Sequence, residues 1–340
     1  MKRTFLLCFI LLGWLHSAFG QATFNIDGFS EQYYGKVYFS DTTQTASAGW
    51  VEVYDRATKK KLIHVDADEL SFDLYDNPQK AYITKIPYEE QSAILYKDFN
   101  FDGVKDFAII DGFRNWTLGH SFKIFLASSK RFVFSDSFTE LTQDNQGMFT
   151  VNAINKTIST KSKIGDTWYQ YSDYIVENNK PKLIRRHTDD YEYAPFYRET
   201  IEELKGNKMV KTTRSSLALE RYHIEECFKF HVDKVNKDII LCNFYDDRLY
   251  YVILDAKQNV EFYYPFEELR QTSDFIFYRK NGKLTFKNKD ASYTIYDKSG
   301  NIGVDITYKG KTHRWKGNAK SRRGSIGKLL KISLDNVVYQ

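Results

Sequence analysis

Proline and cysteine are both scarce in this 340-residue chain, at five and three residues. No Gly/Ser/Pro-rich stretch divides it, so nothing marks a flexible tether between domains. After residue 20 no run approaches 18 apolar residues, which excludes a spanning helix from the remainder. H-E-x-x-H, C-x-x-C and paired-His spacings are missing, and with them the usual signatures of zinc. There is no G-x-S-x-G. Gly324-Ser325-Ile326-Gly327-Lys328 lacks both the leading glycine and the following Ser/Thr of a phosphate loop. The acidic pairs Asp189-Asp190, Glu202-Glu203 and Asp246-Asp247 are chain neighbours, so in a strand their members point to opposite faces and make poor glycosidase pairs. No enzyme is expected from these residues.

What the chain has in excess is aromatic surface. Its 25 tyrosines and 26 phenylalanines suit a pleated, half-buried sheet, and the reading is all-β. Short apolar runs flank polar turns at hairpin spacing. Trp50–Tyr54 and Leu62–Val65 enclose 55–61; the pairs around 127–131, 255–259 and 297–303 repeat the pattern without a fixed period. Such units build propellers, sandwiches and meanders. The best boundary lies between about Asp189 and Arg221, giving an expected propeller-like β domain over 21–220 and a smaller β-rich domain over 221–340. A helix over 216–230 stays undecided, because its apolar periodicity is poor.

Residues 1–20 read as an export signal: Lys2 and Arg3, an apolar core from Phe5 to Leu15, and the small-x-small site Ala18-Phe19-Gly20. Cleavage before Gln21 would leave a periplasmic or secreted protein and take the formal net charge from +5 to +3. Cys8 lies in the apolar core without a lipobox. The two remaining cysteines, Cys227 and Cys242, are plausible disulfide partners in an oxidising compartment.

The sharpest motif is Asp98-Phe99-Asn100-Phe101-Asp102-Gly103-Val104-Lys105-Asp106. Oxygen side chains at positions 1, 3, 5 and 9, with glycine at 6, meet the demand of calcium for six to eight hard oxygen ligands. The expected ligands are Asp98, Asn100, Asp102 and Asp106, with the Val104 carbonyl. Position 12, Glu in an EF-hand, is Ile109, inside the run Phe107-Ala108-Ile109-Ile110; the loop therefore opens onto a strand.

From Lys97 to about Arg186 the chain resembles a family of exported, propeller-like, calcium-binding bacterial inhibitors of lysozyme-type peptidoglycan hydrolases, some of them immunity proteins. The resemblance is carried by the 98–106 loop, by Gly119-His120-Ser121-Phe122-Lys123-Ile124-Phe125-Leu126, by Arg131-Phe132-Val133 and Gly147-Met148-Phe149, and by Ile158–Gly165, Trp168 and Tyr171–Arg185. Gly165-Asp166-Thr167-Trp168 stands where members often carry cysteines, so a disulfide there is absent. The resemblance implies that the partner is a lysozyme-type hydrolase, which works through an acidic pair in a long cleft. A protruding loop with hydroxyl, imidazole or cationic donors could meet those carboxylates, and 116–121 is the best placed, with Trp116, His120 and Ser121 as candidate contacts.

Residues 309–331 carry nine Lys/Arg and no acid. They could bind an anionic glycan, although a lysine-guarded strand edge is the commoner meaning of such a run; nucleic acid does not fit an exported protein. The expected function is inhibition of a lysozyme-type hydrolase. The alternatives are a calcium-stabilised glycan-binding or cell-surface module and a propeller hydrolase.

Overall fold

The computed structural model describes residues 20–71, 93–129, 131–192, 196–218, 227–244, 247–266, 274–298 and 300–340. The expected export segment apart from Gly20 lies outside them, as does most of the undecided stretch 216–230. The described chain is all-β, with five open sheets and short helices. It divides into two compact units: Met1–His187 with Glu202–Val210, and Thr188–Ile201 with Lys211–Gln340.

In the first unit, β1 (Ala22–Ile26), β2 (Tyr33–Phe39), β3 (Ala46–Asp55) and β4 (Lys61–Ser71) form a meander in chain order. Alternation decides which face is dry. Along β2 the buried positions are Tyr33, Gly35, Val37 and Phe39, and Val51, Val53, Ile63 and Val65 continue that face across the sheet. On the opposite face the cross-strand partners Tyr34 and Tyr54 stack, as do Tyr38 and Trp50, with ring centres 5.2 and 5.4 Å apart. Between the stacks sits Glu52, nearly buried by its own donors: Lys61 Nζ at 2.6 Å, His64 Nδ1 at 2.8 Å and the Tyr54 hydroxyl. The turn between β3 and β4 is set by Asp55, whose carboxylate accepts the Thr58 N–H at 2.7 Å and hydroxyl at 2.8 Å.

β5 (Ile94–Lys97), β6 (Asp106–Asn115), β7 (Gly119–Ser128) and β8 (Arg131–Phe134) form the second meander. Its strand β6 is buried from Asp106 to Gly112, which explains the unbroken run Phe107–Ile110. One core joins the dry face of the first sheet to Ile94, Phe107, Ile110, Phe122 and Ile124. Gly35 marks a close approach within it, because a Cβ there would stand 2.3 Å from Ile94 Cδ1.

β8 pairs with β7 only over Phe125–Ser128, so the earlier half of that β7 edge needs other partners. The helix α1 (Asp136–Gln143) supplies them through two threonine hydroxyls. Thr142 Oγ1 accepts the Phe122 N–H at 2.9 Å and Thr139 Oγ1 accepts the Ile124 N–H at 3.0 Å. Burying a strand edge under a helix satisfies its backbone and blocks its pairing with another chain. β9 (Thr150–Asn152), β10 (Thr157–Ile164), β11 (Trp168–Glu177), β12 (Lys180–Asp190), β13 (Phe196–Lys205) and β14 (Lys208–Leu217) then follow as a six-stranded meander in chain order. Ile158 of β10 enters the first unit's core.

In the second unit β15 (Cys227–Val232), β16 (Lys237–Phe244), β17 (Arg248–Leu254) and β18 (Val260–Tyr264) form a four-stranded meander. It is dry on both faces. Phe228, Phe230, Leu241, Leu249, Tyr251 and Ile253 belong to one core, while Ile240, Cys242, Tyr250, Val252 and Leu254 belong to another with Phe196. Cys227 and Cys242 are direct cross-strand partners joined as a disulfide, with Cα atoms 4.5 Å apart, the spacing of a non-hydrogen-bonded antiparallel pair. The last sheet contains β19 (Phe275–Tyr278), β20 (Lys283–Asn288), β21 (Ala291–Lys298), β22 (Asn301–Tyr308), β23 (Lys311–Lys316) and β24 (Val337–Tyr339). Its order is β23-β22-β21-β20-β19-β24, with β24 returning parallel to β19. The helix α2 (Ile326–Leu329) packs Ile326 and Leu329 into the larger core. Among the described residues no helix is long and apolar enough to cross a membrane.

Replacing Thr142 with Val leaves the buried Phe122 N–H without an acceptor and is expected to lower the unfolding free energy by about 1–3 kcal/mol, read as a lower denaturant midpoint. Replacing both Cys227 and Cys242 with Ser opens a link across 15 residues; in the chain-entropy model the loss is about 3 kcal/mol. Equal midpoints for the oxidised parent and the double variant would show that the bond contributes nothing.

Candidate metal centre

The 98–106 loop joins β5 to β6, and its alternating sequence sorts its side chains. The second and fourth positions are aromatic anchors. Phe99 is fully buried and meets Phe149 edge to face at 5.4 Å, and Phe101 packs partly against the same core. The first, third and fifth positions keep their oxygens within the loop. Asp98 Oδ2 accepts the Gly103 N–H at 2.9 Å, Asn100 Oδ1 accepts the Asp102 N–H at 3.2 Å, and Asp102 Oδ1 accepts the Val104 N–H at 2.8 Å. Phe101 and Gly103 take φ values of 63° and 90°, and at Gly103 this left-handed turn is what makes glycine the fitting residue.

Asp106 closes the loop from the first position of β6. It is fully buried, and its two oxygens accept the N–H groups of Phe99 at 2.8 Å and Ala127 at 2.7 Å. Burial nevertheless pushes its pKa up to about 6. The two backbone donors offset part of that effect, while the neighbouring Asp102 and Asp98 charges add to it. Asp98 Oδ1 is buried with no hydrogen-bond partner. An orphaned carboxylate oxygen facing other acidic groups is a local deficit of positive charge, and the donor set is oxygen throughout. These residues fit a hard divalent cation, with Asp98, Asn100, Asp102, Asp106 and the Val104 carbonyl as the groups that would hold it.

One contributor is not visible from the motif. Asn179, at the turn between β11 and β12, accepts a hydrogen bond from Asn100 Nδ2 at 3.2 Å through its Oδ1, and Asn100 Nδ2 also reaches Asp102 Oδ2 at 2.9 Å. The turn holds Asn178 and Asn179 at φ 51° and 56°, the left-handed region where asparagine is among the best tolerated residues. Two consecutive asparagines after a strand are the only local signal of it.

The next loop, between β6 and β7, separates the three expected contact residues. Trp116 stands at its tip, 95% exposed. His120 and Ser121 lie on β7 and are 4% and 0% exposed, so neither is offered to a partner. Bulges at Asp111 and Arg114 shift the register of β6 against β7, and His120, Ser121 and Phe122 turn inward in succession. The Ser121 hydroxyl donates to the buried Asp111 carboxylate, which also accepts from Gln143 Nε2 at 3.2 Å. Burial holds the pKa of His120 below the usual imidazole range, opposed by a hydrogen bond to the Gly112 backbone and by the Glu69 charge. Its Nδ1 has no partner, and its ring meets Phe113 at 5.3 Å.

The loop that carries Trp116 is held on three sides. Asn115 Oδ1 accepts the Thr117 and Leu118 N–H groups at 2.9 and 2.8 Å. Gln146 Nε2 donates to the Thr117 carbonyl at 2.7 Å, and the Gly147 N–H donates to the Leu118 carbonyl at 2.8 Å. Phe113 meets the indole edge to face at 5.4 Å.

No family model and no curated protein matches the chain. Among solved structures it is similar to a Xanthomonas type IV secretion system related protein, 20% identical with a TM-score of 0.43, over 55% of this chain and 92% of that one. It is also similar to a prolyl endopeptidase structure, 8% identical with a TM-score of 0.23, over 87% of this chain and 42% of that one. At these scores neither likeness bears on fold or activity.

The isosteric change Asp98→Asn keeps an acceptor for the Gly103 N–H and removes the charge of the orphaned oxygen. The parent should melt higher in calcium than in chelator, by an amount equivalent to about 2.7 kcal/mol when free calcium is a hundredfold above Kd. Asp98→Asn should lose most of that gain while melting close to the parent in chelator. A parent melting temperature indifferent to calcium would remove the site.

Proposed function

We propose that this chain is an exported, calcium-stapled β protein that binds and inhibits a lysozyme-type peptidoglycan hydrolase, as a self-protection or immunity protein. Its four-stranded meanders are taken as blades of a propeller-like arrangement, which such meanders commonly build. The observation that supports the reading most is the pinned loop that displays Trp116 one strand after the calcium loop.

A tryptophan left in water on a braced loop has the character of an interface anchor. Tryptophan is among the residues most enriched at binding hot spots, and a loop ordered in advance loses little entropy when a partner arrives. The cation, on this reading, performs no chemistry. It neutralises the carboxylates that join β5 to β6, and β6 leads directly into the Trp116 loop. His120 and Ser121 act as supports: the buried Ser121–Asp111 pair, joined by the partly buried Gln143, fixes the base of the strand from which the loop springs.

The chain beginning at Gln21, purified with calcium, is expected to slow the lysis of peptidoglycan by at least one member of a panel of lysozyme-fold hydrolases. Trp116→Ala should weaken that inhibition about 30-fold or more, the effect of losing a hot spot of about 2 kcal/mol, without lowering the melting temperature. Failure to bind or slow any hydrolase of the panel with calcium present would overturn the reading.

A further inference from the structure

A titratable group is buried directly beneath the Trp116 loop. His120 stands opposite Phe113 in the β6–β7 register, and the Phe113 ring is shared: its centre lies 5.3 Å from the imidazole and 5.4 Å from the Trp116 indole. The imidazole is therefore one contact removed from the exposed indole. It is 4% exposed, it is hydrogen-bonded to the Gly112 backbone, and its Nδ1 is buried with no partner. The Gly112 bond favours the protonated ring, so the ring donates in it, to a carbonyl. The neutral ring then carries its proton on Nε2 and leaves Nδ1 a bare lone pair.

A second proton on that ring would bury a charged N–H with no acceptor, which is far more costly than the bare lone pair. The surroundings offer the charge little. On β4, Glu69 is exposed; its charge attracts the proton, but less than burial repels it. On β6, Asp111 is taken by Ser121 and Gln143, and Arg114, 3.7 Å from Asp111, has the wrong sign. α1 turns the neutral Gln143 toward this pair. The ring can take the proton only by reaching water, and to do so it must leave Phe113.

We propose that His120 is an acid-sensitive latch for the Trp116 loop. On acidification the ring takes a proton at Nδ1 and turns to water, and Phe113 loses the support on which the indole rests. The bonds that pin the loop then open more often. Burial holds the imidazole below its usual range near about 6.5, so the closed loop binds fewer protons than the open one. The closed form is accordingly at its most stable above that range and loses stability as the pH falls through it. The use of the latch rests on the proposed inhibition: a plug of this kind would hold its hydrolase at neutral pH and release it in acid.

Amide hydrogen exchange, followed residue by residue by NMR at about pH 7.5 and about pH 5 with calcium present, tests the latch. The N–H groups of Thr117, Leu118 and Gly147 close the loop. Relative to intrinsic exchange rates they should lose protection at the lower pH, by up to about tenfold for each unit between the open and closed pKa values of the ring. His120→Gln keeps a donor for the Gly112 carbonyl and does not titrate, so its three amides should keep their protection. Asp106, whose pKa is pushed up to about 6, titrates in both proteins and drops out of the comparison. The His120 ring signals of the parent give a second reading that needs no variant: they should titrate at lower pH than in the urea-unfolded chain. Unchanged protection in the parent, an equal loss in His120→Gln, or a ring that titrates as in the unfolded chain would each overturn the latch. No hydrolase enters these measurements, so failure of the proposed inhibition would leave their result standing, and failure of the latch would leave the inhibition standing.

Discussion

A carboxylate taken out of water has to be met by donors or by a cation, and at Asp106 this rule ties three pieces of the first unit together. One oxygen takes the N–H of Phe99 in the loop and the other takes the N–H of Ala127 near the end of β7, while the residue itself begins β6. A single side chain thus fixes where the loop returns to the sheet and how β7 lies beside it. Two donors do not balance the charge, since Asp98 and Asp102 crowd in from the same loop and Asp98 Oδ1 has no partner. The proposed cation answers a deficit that loop closure itself creates. Its absence would leave β6 anchored by aromatic packing but strained electrostatically at its first residue.

The same rule, applied to backbone groups, governs the sheet edges. β7 outruns its short neighbour β8, and the N–H groups of Phe122 and Ile124 are satisfied by Thr142 and Thr139 of α1 instead of by another strand. β14 is treated differently: it is exposed along most of its length and carries Lys208, Lys211 and Arg214, charges that discourage pairing with another chain. In the last sheet β24 returns parallel to β19 and covers the edge opposite β23. Helix, charge and a returning strand are three answers to one liability.

Much of this was legible in the sequence because it is local. Alternation around the turns 55–61, 255–259 and 297–303 marks hairpins that the structure contains as β3–β4, β17–β18 and β21–β22, and the aromatic excess points to sheets. The loop oxygens are spaced within nine residues, so their convergence needs no distant partner. Three features escaped for physical reasons. α1 has few apolar residues, and its place is decided by threonine hydroxyls meeting a strand edge some 15 to 20 residues earlier. His120 and Ser121 look like loop residues until the bulges opposite them turn consecutive side chains inward, which no period-two reading anticipates. Asn179 reaches Asn100 across 79 positions, through a turn with no ligand signature of its own.

The separation of Trp116 from His120 and Ser121 also sharpens what kind of contact the loop can make. A buried imidazole with a lowered pKa is neutral at pH 7 and cannot serve as the cation that meets an acidic cleft. What the loop presents is apolar area on a fixed frame. Arg114 is the nearest charge along the chain; it stands 3.7 Å from Asp111, with its side chain 41% exposed. An interface anchored by an indole derives its strength from water expelled around the ring, with charges at the rim acting more on approach and orientation. If the proposed hydrolase partner is right, its inhibition should depend weakly on salt, and this distinguishes an anchored plug from the charge-to-carboxylate contact that the sequence alone invited.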